Sequence, residues 1–227
     1  MTDKVPRAAD VVVEAVTKGF GSEPVLRQLD LEMAPGESVA ILGPSGSGKT
    51  TLLRILAGLE TPDSGRVLLG GRVVSKPGWA LAPHERSIGF AFQRPALWPH
   101  MTVAQNIAFA LAGVPRGEAS ARVAELQAEL ELDGLDQRYP DELSGGQARR
   151  VSLARALVAA PRRVLLDEPF AHLEPDLRRR LAAAVLARIT QSGAGLVHVT
   201  HDAGDAEALS ERVLTLRDGR LEELVGG

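Results

Sequence analysis

The sequence predicts an α/β fold, and three observations support this class. The apolar run at residues 39–42 leads into a glycine-rich loop and then into the apolar segment 52–57, which is the order strand, loop, helix. The apolar segment 11–13 and the alternating segment 29–33 predict a small antiparallel sheet at the amino end. Between residues 94 and 160 no run resembles a strand, which predicts a helical lobe inserted into the α/β core.

Length and composition exclude several classes of protein. The 227 residues are enough to bury a sizeable core, and 44% hydrophobic with 24% charged residues is ordinary for a soluble globular chain. No apolar run approaches the roughly 20 residues of a membrane span, and residues 1–16 lack the features of a signal peptide. The absence of cysteine excludes disulfides and thiol catalysis. A net charge of -3 predicts no nucleic-acid partner, although it does not exclude a local basic patch.

The loop after the strand at 39–42 fits the pattern of a phosphate-binding loop. Residues 43–50 read G-P-S-G-S-G-K-T, which matches G-x-x-x-x-G-K-[ST]. The glycines let backbone N–H groups approach phosphates, Lys49 reaches the β and γ oxygens, and the Thr50 hydroxyl is a ligand for Mg²⁺. The alternative, an ordinary glycine-rich turn, does not explain the strand before it and the helix after it. The predicted nucleotide-binding residues here are Gly43, Pro44, Ser45, Gly46, Ser47, Gly48, Lys49, Thr50 and Thr51.

Two adjacent carboxylates follow a predicted buried strand at residues 164–166. Successive strand residues point to opposite sides, so Asp167 and Glu168 are expected to have different roles. We expect Asp167 to bind Mg²⁺, directly or through water, and Glu168 to position and polarise an attacking water. His201 follows the predicted strand 195–200 and is suited to donate a hydrogen bond to a γ-phosphate oxygen. Structural carboxylates at a strand end are the alternative.

Two more side chains are candidate site residues, and each has an alternative structural role that the sequence does not exclude. Gln93 ends the apolar segment 87–92, and the carboxyl end of a strand in an α/β sheet lies at the ligand-binding edge. Gln93 is therefore a candidate for binding Mg²⁺ or orienting water, and the alternative is a solvated loop amide.

Phe20 lies in the glycine-containing segment 18–21 between the two amino-terminal strands. It is suited either to stacking on adenine or to core packing.

Three helices are predicted in the lobe: one from the cap Thr102 to Leu111, one over residues 117–131, and one that begins at Ser144. Residues 144–147 read S-G-G-Q, which combines a capping box with two glycines that expose backbone N–H groups. The helix start at Ser144, Gly145, Gly146 and Gln147 is thus a second anion-binding candidate.

The proline-braced loop 94–101 carries Trp98 and is either a protein contact or a buried connector.

Taken in order, six elements of the chain resemble the nucleotide-binding subunit of ATP-binding cassette (ABC) transporters. They are Phe20, the Walker A loop at 43–50, Gln93, the L-S-G-G-Q signature at 143–147, the Walker B strand with Asp167 and Glu168, and His201. The resemblance implies a P-loop NTPase (RecA-like) core with an amino-terminal antiparallel β-subdomain and an inserted helical signature subdomain. It places residues 1–93 and 161–227 in the core and 94–160 in the helical subdomain, within a single domain of residues 1–227.

The resemblance implies an ATPase that uses ATP and Mg²⁺. The implied catalytic residues are Glu168, His201, Lys49 and Gln93, and the implied metal ligands are Thr50, Gln93 and Asp167. Two subunits would pair head to tail, so that ATP lies between Lys49 of one and residues 144–147 of the other. The second subunit is expected to be an identical copy. A membrane permease with a solute-binding protein would complete the assembly at the cytoplasmic face of the cell membrane.

Residues 93–106 are similar to importer subunits, which favours import of a small solute. Sugar-type importer ATPases carry a further regulatory domain, which we expect to be absent because the sequence stops at Gly227. Two positions depart from the family pattern: Glu174 replaces the usual aspartate, which puts hydrolysis in doubt, and Phe20 replaces the usual tyrosine. An exporter ATPase and a soluble ABC-type ATP switch are the alternatives.

Overall fold

The computed structural model describes residues 9–223. The predictions for residues 1–8 and 224–227, the two ends of the predicted single domain, lie outside the described residues. The strands are β1 (Val11–Phe20), β2 (Glu23–Met33), β3 (Ser38–Leu42), β4 (Ser64–Leu69), β5 (Arg72–Lys76), β6 (Trp79–Ala80), β7 (Ile88–Ala91), β8 (Arg163–Asp167), β9 (Gly195–Thr200), β10 (Arg212–Arg217) and β11 (Arg220–Glu223). The helices are α1 (Lys49–Ala57), α2 (Val103–Ala108), α3 (Arg116–Glu129), α4 (Gly145–Leu157), α5 (Pro175–Ser192) and α6 (Ala203–Leu209).

The strands form two sheets. The smaller sheet is antiparallel, with the order β2-β1-β4-β5-β6. The larger sheet has the order β11-β10-β3-β9-β8-β7, in which all neighbours are parallel except the edge pair β10 and β11. Parallel strands direct their carboxyl ends to one edge of a sheet, where α/β proteins bind ligands. The arrangement confirms the predicted α/β class.

Strands β1 and β2 are longer than the predicted segments 11–13 and 29–33. The pairing of β1 with β2 shifts register at three points, and Ala15 and Gln28 have positive φ values of 46° and 47°. Such β-bulges break the period of two by which a strand is detected from sequence. As a result Phe20, expected in a loop, is instead the last residue of β1.

Helix α1 is buried between the two sheets. Leu52, Leu53, Ile55 and Leu56 are at most 1% exposed and belong to a core to which strands of both sheets contribute. At the carboxyl end of α1, the buried guanidinium of Arg86 donates to the carbonyls of Ile55 (3.1 Å) and Leu56 (2.8 Å). These contacts fix the helix at both faces and at its end, and so fix the position of the loop that precedes it.

Residues 94–160 contain helices α2, α3 and α4 and no strand. Helix α2 begins at the predicted cap Thr102 but ends at Ala108, and the predicted extension to Leu111 is a 3-10 turn. Helix α3 ends two residues early because Glu131 adopts a left-handed φ of 53°. The three helices share a core with α5, β8 and β9. None of the helices within residues 9–223 has the length and apolar character needed to cross a bilayer.

A buried histidine in β9 makes no hydrogen bond of good geometry within residues 9–223. His198 is 0% exposed, and both of its ring nitrogens are unsatisfied. It lies two residues after Leu196 and so on the same face of the strand, and Leu196 belongs to the core formed with α5 and the helical lobe. Burial lowers the pKa of His198 to about 4, and the nearby backbone of Ala206 offsets only part of that effect. A buried polar group without a partner reduces the free energy of unfolding.

We predict that His198→Leu stabilises the protein by about 1 to 3 kcal/mol at neutral pH, because an apolar side chain of similar size has no polar group to desolvate. The unfolded histidine binds a proton near pH 6.5 while the folded one does so near 4, so the wild-type protein should lose stability as pH falls through that window. Urea unfolding at several pH values measures this. Parallel pH curves for the two proteins would contradict the prediction.

Helix α5 begins without a side-chain cap. Glu174 is the N-cap residue and Pro175 follows it, but the Glu174 carboxylate accepts no hydrogen bond from the first turn. Aspartate is among the best N-cap residues, whereas the longer glutamate side chain is not.

Replacing Glu174 by aspartate should therefore raise the free energy of unfolding by about 1 kcal/mol, because the shorter carboxylate reaches the N–H groups of the first turn. Urea unfolding without nucleotide is the measurement. Glu174→Ala is the control and should differ little from the wild type, since Glu174 makes no capping bond. A large loss of stability in the alanine variant would show that the glutamate already caps the helix.

Candidate functional site

The loop between β3 and α1 depends on glycines at two close approaches. A Cβ at Gly43 would lie 2.6 Å from the Leu216 carbonyl oxygen. Gly48 has a φ of 103°, and a Cβ there would lie 2.9 Å from Leu26 Cδ2. Gly48 is also the N-cap of α1 and offers no side chain to the first turn. The N–H groups at this helix start therefore face the site without a competing side-chain acceptor.

Lys49, the first residue of α1, is buried beneath this loop. Its Nζ donates to the carbonyls of Gly43 (2.6 Å) and Pro44 (2.9 Å). Burial lowers the pKa of Lys49, while the charges of Glu168 and Asp167 oppose that effect. The ammonium is thus held by the same loop whose backbone would surround a phosphate.

A cavity of about 300 Å³ opens beside the loop and collects most of the predicted site residues. It is lined by Phe20, Val25, Ser45, Gly46, Gly48, Lys49, Thr50, Thr51, Gln93, Asp167 and Glu168. The predicted residues Pro44 and Ser47 line a neighbouring cavity together with Arg27 and Arg217. Phe20 is 51% exposed, so its ring is available at the mouth of the cavity rather than buried in the core.

Asp167 joins the loop to the end of β8. The Thr50 hydroxyl donates to Asp167 Oδ2 at 2.9 Å. Asp167 is 3% exposed, and burial raises its pKa, while the Thr50 hydrogen bond lowers it. A hydroxyl and a carboxylate, with the Gln93 amide in the same cavity, are the hard oxygen donors that suit Mg²⁺. Residues 9–223 contain no cluster of three or more acidic, His or Cys side chains able to bind a metal without other ligands.

Glu168 is directed by a turn and not by strand alternation. Strand β8 ends at Asp167, and Glu168 has a left-handed φ of 50° while its N–H donates to the Val199 carbonyl at 2.9 Å. We expected Asp167 and Glu168 to point to opposite sides because they would be successive residues of one strand. That reason is wrong, because Glu168 lies beyond the end of the strand. Nδ1 of His201 lies 2.9 Å from both carboxylate oxygens of Glu168. His201 thus contacts Glu168, which lines the cavity, but is not itself a lining residue. Its side chain is 63% exposed.

The second predicted anion-binding helix start lies apart from the cavity. The Gln147 N–H donates to the Ser144 hydroxyl (3.2 Å), and the Ser144 N–H donates to the Gln147 side chain (2.9 Å), which confirms the capping box. None of residues 144–147 lines the cavity. A Cβ at Gly146 would lie 3.2 Å from Leu173 Cδ2, whereas one at Gly145 would meet nothing within 4 Å. Gly146 packs against the chain, and Gly145 faces open space.

Sequence reasoning missed three residues at or near the site. Val25 lines the cavity, Lys18 places its ammonium 5.3 Å from the centre of the Phe20 ring, and Arg149 donates to the Gln93 carbonyl at 3.0 Å. No local pattern marks an aliphatic lining residue such as Val25. Lys18 is two residues before Phe20 on β1, and that spacing would have placed it on the same face if the length of the strand had been known.

The loop that contains Trp98 is exposed, which excludes the buried-connector alternative. Trp98 is 43% exposed and Phe109 is 54% exposed, and their ring centres lie 5.5 Å apart. The centre of the His100 ring lies 6.2 Å from the centre of the Trp98 ring. Trp98, His100 and Phe109 form the aromatic patch of the helical lobe. The buried side chain of Asn106 braces it by bonding the N–H and the carbonyl of Trp98.

Known proteins resemble the chain over most of its length. It is 47% identical over 216 residues to the sulfate/thiosulfate import ATP-binding protein CysA of Thermosynechococcus vestitus, which covers 94% of this chain and 63% of that protein. It is 45% identical to the Fe(3+) ions import ATP-binding protein FbpC of Pseudomonas fluorescens, over 92% of this chain and 59% of that protein. The chain thus spans less than two thirds of the length of these relatives.

A solved structure has the same fold. The ATP-binding cassette MJ0796, in a dimeric post-hydrolysis state bound to ADP and Pi, has a TM-score of 0.85 and 31% identity, and the match covers 96% of this chain and 100% of that one. A family model described as ABC transporter matches residues 26–171. The chain belongs to the ABC transporter family.

Proposed function

We propose that this chain binds ATP in the cavity beside the 43–50 loop and hydrolyses it to ADP and phosphate. The main support for this function is the contact between the Walker A loop at 43–50 and the end of the Walker B strand β8. Thr50 bonds Asp167 at 2.9 Å, and the next residue, Glu168, lines the same cavity and pairs at 2.9 Å with His201, which lies beside it. A phosphate-binding loop, a hydroxyl and carboxylate pair for a cation, and a positioned base thereby meet at one sheet edge.

In this proposal each side chain has a distinct role. The N–H groups of the loop and Lys49 hold the β and γ phosphates, and the exposed ring of Phe20 stacks on the base. Glu168 positions the attacking water and accepts its proton as the new bond to the γ phosphorus forms and the bond to the ADP oxygen breaks. His201 is oriented by Glu168 and directs Nε2 at the γ-phosphate. Gln93 orients water or binds the cation.

Thr50, Asp167 and Gln93 are the residues that would hold Mg²⁺. Bound there, the ion would neutralise charge that develops on the phosphates. One carboxylate is typical of Mg²⁺ sites in which phosphate oxygens and water complete the coordination. Asp167 meets that description, because it is buried and accepts a hydrogen bond from Thr50.

The chain would act as a head-to-tail dimer of identical subunits. Residues 144–147 lie outside the cavity of their own chain, and the N–H groups of Gly145 and Gly146 suit the γ-phosphate of a second subunit. The dimeric state of the ATP-binding cassette MJ0796, bound to ADP and Pi, supports this arrangement. ATP would then join the two subunits, and its hydrolysis would release them. Residues 94–160 would act as the signature lobe and residues 1–93 with 161–227 as the core.

The proposed partner is the permease of an importer at the cytoplasmic face of the cell membrane, working with a solute-binding protein. The names of the sulfate/thiosulfate and Fe(3+) relatives describe import ATP-binding proteins, which favours import of a small solute over the exporter alternative. The exposed aromatic patch at Trp98 and Phe109 is suited to contact with an apolar helix of such a permease. A salt-sensitive complex with nucleic acid would instead favour a soluble ATP switch.

Glu168→Gln is predicted to reduce the rate of phosphate release by about 10²- to 10⁴-fold, because the amide cannot accept the proton of the attacking water. An ATP-bound dimer should then accumulate. Phosphate release and light scattering with Mg-ATP measure the two effects. Adding Lys49→Ala as a control should restore the monomer by removing nucleotide binding. Unchanged hydrolysis would refute the role of Glu168, and a variant that stays monomeric at every concentration would refute ATP-driven pairing.

Phe20→Ala is predicted to weaken ATP binding about 5- to 10-fold through loss of ring stacking, whereas Phe20→Tyr should bind as the wild type does. Fluorescence titration with an ATP analogue in the absence of turnover measures this. Binding of inorganic pyrophosphate is the control, because it lacks the base and should be the same in all three proteins. An alanine variant with wild-type affinity for ATP would place the adenine elsewhere.

A further inference from the structure

Helix α4 is bonded to two loops of the site by arginine side chains. Arg149 donates through Nη2 to the Gln93 carbonyl at 3.0 Å and through Nη1 to the Ala171 carbonyl. Arg155 donates to the carbonyls of Ala96 (3.0 Å) and Pro95 (3.1 Å). The loop that contains Gln93 and the loop that follows Glu168 are thus both held by the helix that begins at the signature.

The loops need such support because their backbone is strained. Ala96 has a φ of 42° and His172 a φ of 63°, which are left-handed values for residues other than glycine. Conformations of this kind persist only where surrounding contacts over-determine them. The Arg155 bond to the Ala96 carbonyl and the Arg149 bond to the Ala171 carbonyl are contacts of that type. Arg149 is the one of the two that touches both loops.

Arg149 also lies within the electrostatic field of the catalytic carboxylates. Burial lowers its pKa, and the charges of Glu168 and Asp167 oppose that effect. Its bonds in the described part of the chain go to backbone carbonyls and not to carboxylates. The guanidinium therefore has two separable properties, its positive charge near the acids and its ability to bridge two carbonyls.

The signature end of α4 touches the same loop. A Cβ at Gly146 would lie 3.2 Å from Leu173 Cδ2, so the first turn of α4 packs on the segment that follows Ala171. Ser144 and Arg149 are five residues apart, about 7.5 Å along a helix, and a helix transmits displacement over that distance as a rigid rod. Movement of Ser144 toward a phosphate would be carried to Gln93 and Ala171 through Arg149.

We propose that Arg149 is a positioning residue that couples the signature helix to the Gln93 loop and to the loop after Glu168. It would thereby link the nucleotide site of this chain to the site that its signature completes on the second subunit. The proposal rests on the proposed function for its kinetic part. Its structural part, that Arg149 holds residues 93–97 and 170–174, is independent of activity.

The structural part is tested by hydrogen exchange on the nucleotide-free wild-type, Arg149→Ala and Arg150→Ala proteins. Arg150 is the matched control, since it lies on the same helix but donates to the carbonyls of Leu130 and Glu131 in the lobe. Arg149→Ala should speed exchange in segments 93–97 and 170–174 about ten-fold, because the bonds that hold the segments are lost. Arg150→Ala should leave both segments unchanged. Equal exchange in the wild type and Arg149→Ala, or the same increase in both variants, would overturn the proposal.

The kinetic part is tested by ATP hydrolysis. Arg149→Ala should lower kcat about ten-fold and move the Hill coefficient for ATP toward 1, as expected of residues that couple two sites, with KM changed less than about two-fold. A kcat and Hill coefficient equal to those of the wild type would overturn the coupling. If the wild-type protein itself fails to hydrolyse ATP, the proposed function fails, and hydrogen exchange alone decides the role of Arg149.

Arg149→Lys separates charge from bridging and serves if the alanine variant does not fold. Lysine keeps the charge but has a single nitrogen, so it cannot bridge the Gln93 and Ala171 carbonyls in the same way. We expect faster exchange in at least one of the two segments and a kcat close to that of the alanine variant. Wild-type exchange and kcat in Arg149→Lys would show that Arg149 acts through charge alone and would overturn the proposal.

Discussion

The hydrogen bond from Thr50 to Asp167 is the contact on which the site depends, because it ties the phosphate loop to the buried strand β8. The two residues are 117 positions apart in the chain. Their contact requires α1 to be held against the large sheet, and the smaller sheet supplies that restraint from the other side of α1. The antiparallel sheet thus holds the phosphate loop in place through α1, as well as presenting Phe20 at the mouth of the cavity.

The sequence was sufficient for features that depend on local chemistry. The glycine loop, the capping box at Ser144 and the parallel strand β9 are each determined by a few neighbouring residues, and the structure has them where they were predicted. The observed cavity also contains Lys49 and Gln93, although their chemical roles remain predictions. Patterns of spacing detect these features because the physical cause lies within a few residues of the signal.

Features that depend on distant contacts could not be predicted in the same way. The bulges near Ala15 and Gln28 are stabilised by strand pairing, so β1 was predicted too short and Phe20 was placed in a loop. Glu168 and His172 have left-handed φ values that ordinary residue patterns do not encode, although histidine tolerates them better than most side chains. Arg149 looks like any polar helix residue until its two carbonyl partners are known.

The two helix starts differ in how their first N–H groups are satisfied. Helix α1 begins at Gly48 with no side-chain cap. At α4 the capping box satisfies the N–H groups of Ser144 and Gln147, but within residues 9–223 it leaves those of Gly145 and Gly146 without an acceptor.

A cavity of about 300 Å³ lies at the small end of the range for ligand pockets, so a triphosphate there would keep a side open to solvent. Asp167 and Glu168 in that cavity repel the added negative charge, and Lys49 with the dipole of α1 opposes that repulsion. Helix α4 carries a second helix start that does not line the cavity of its own chain. In the proposed pairing with a second copy, that helix start would supply further N–H donors to the phosphates.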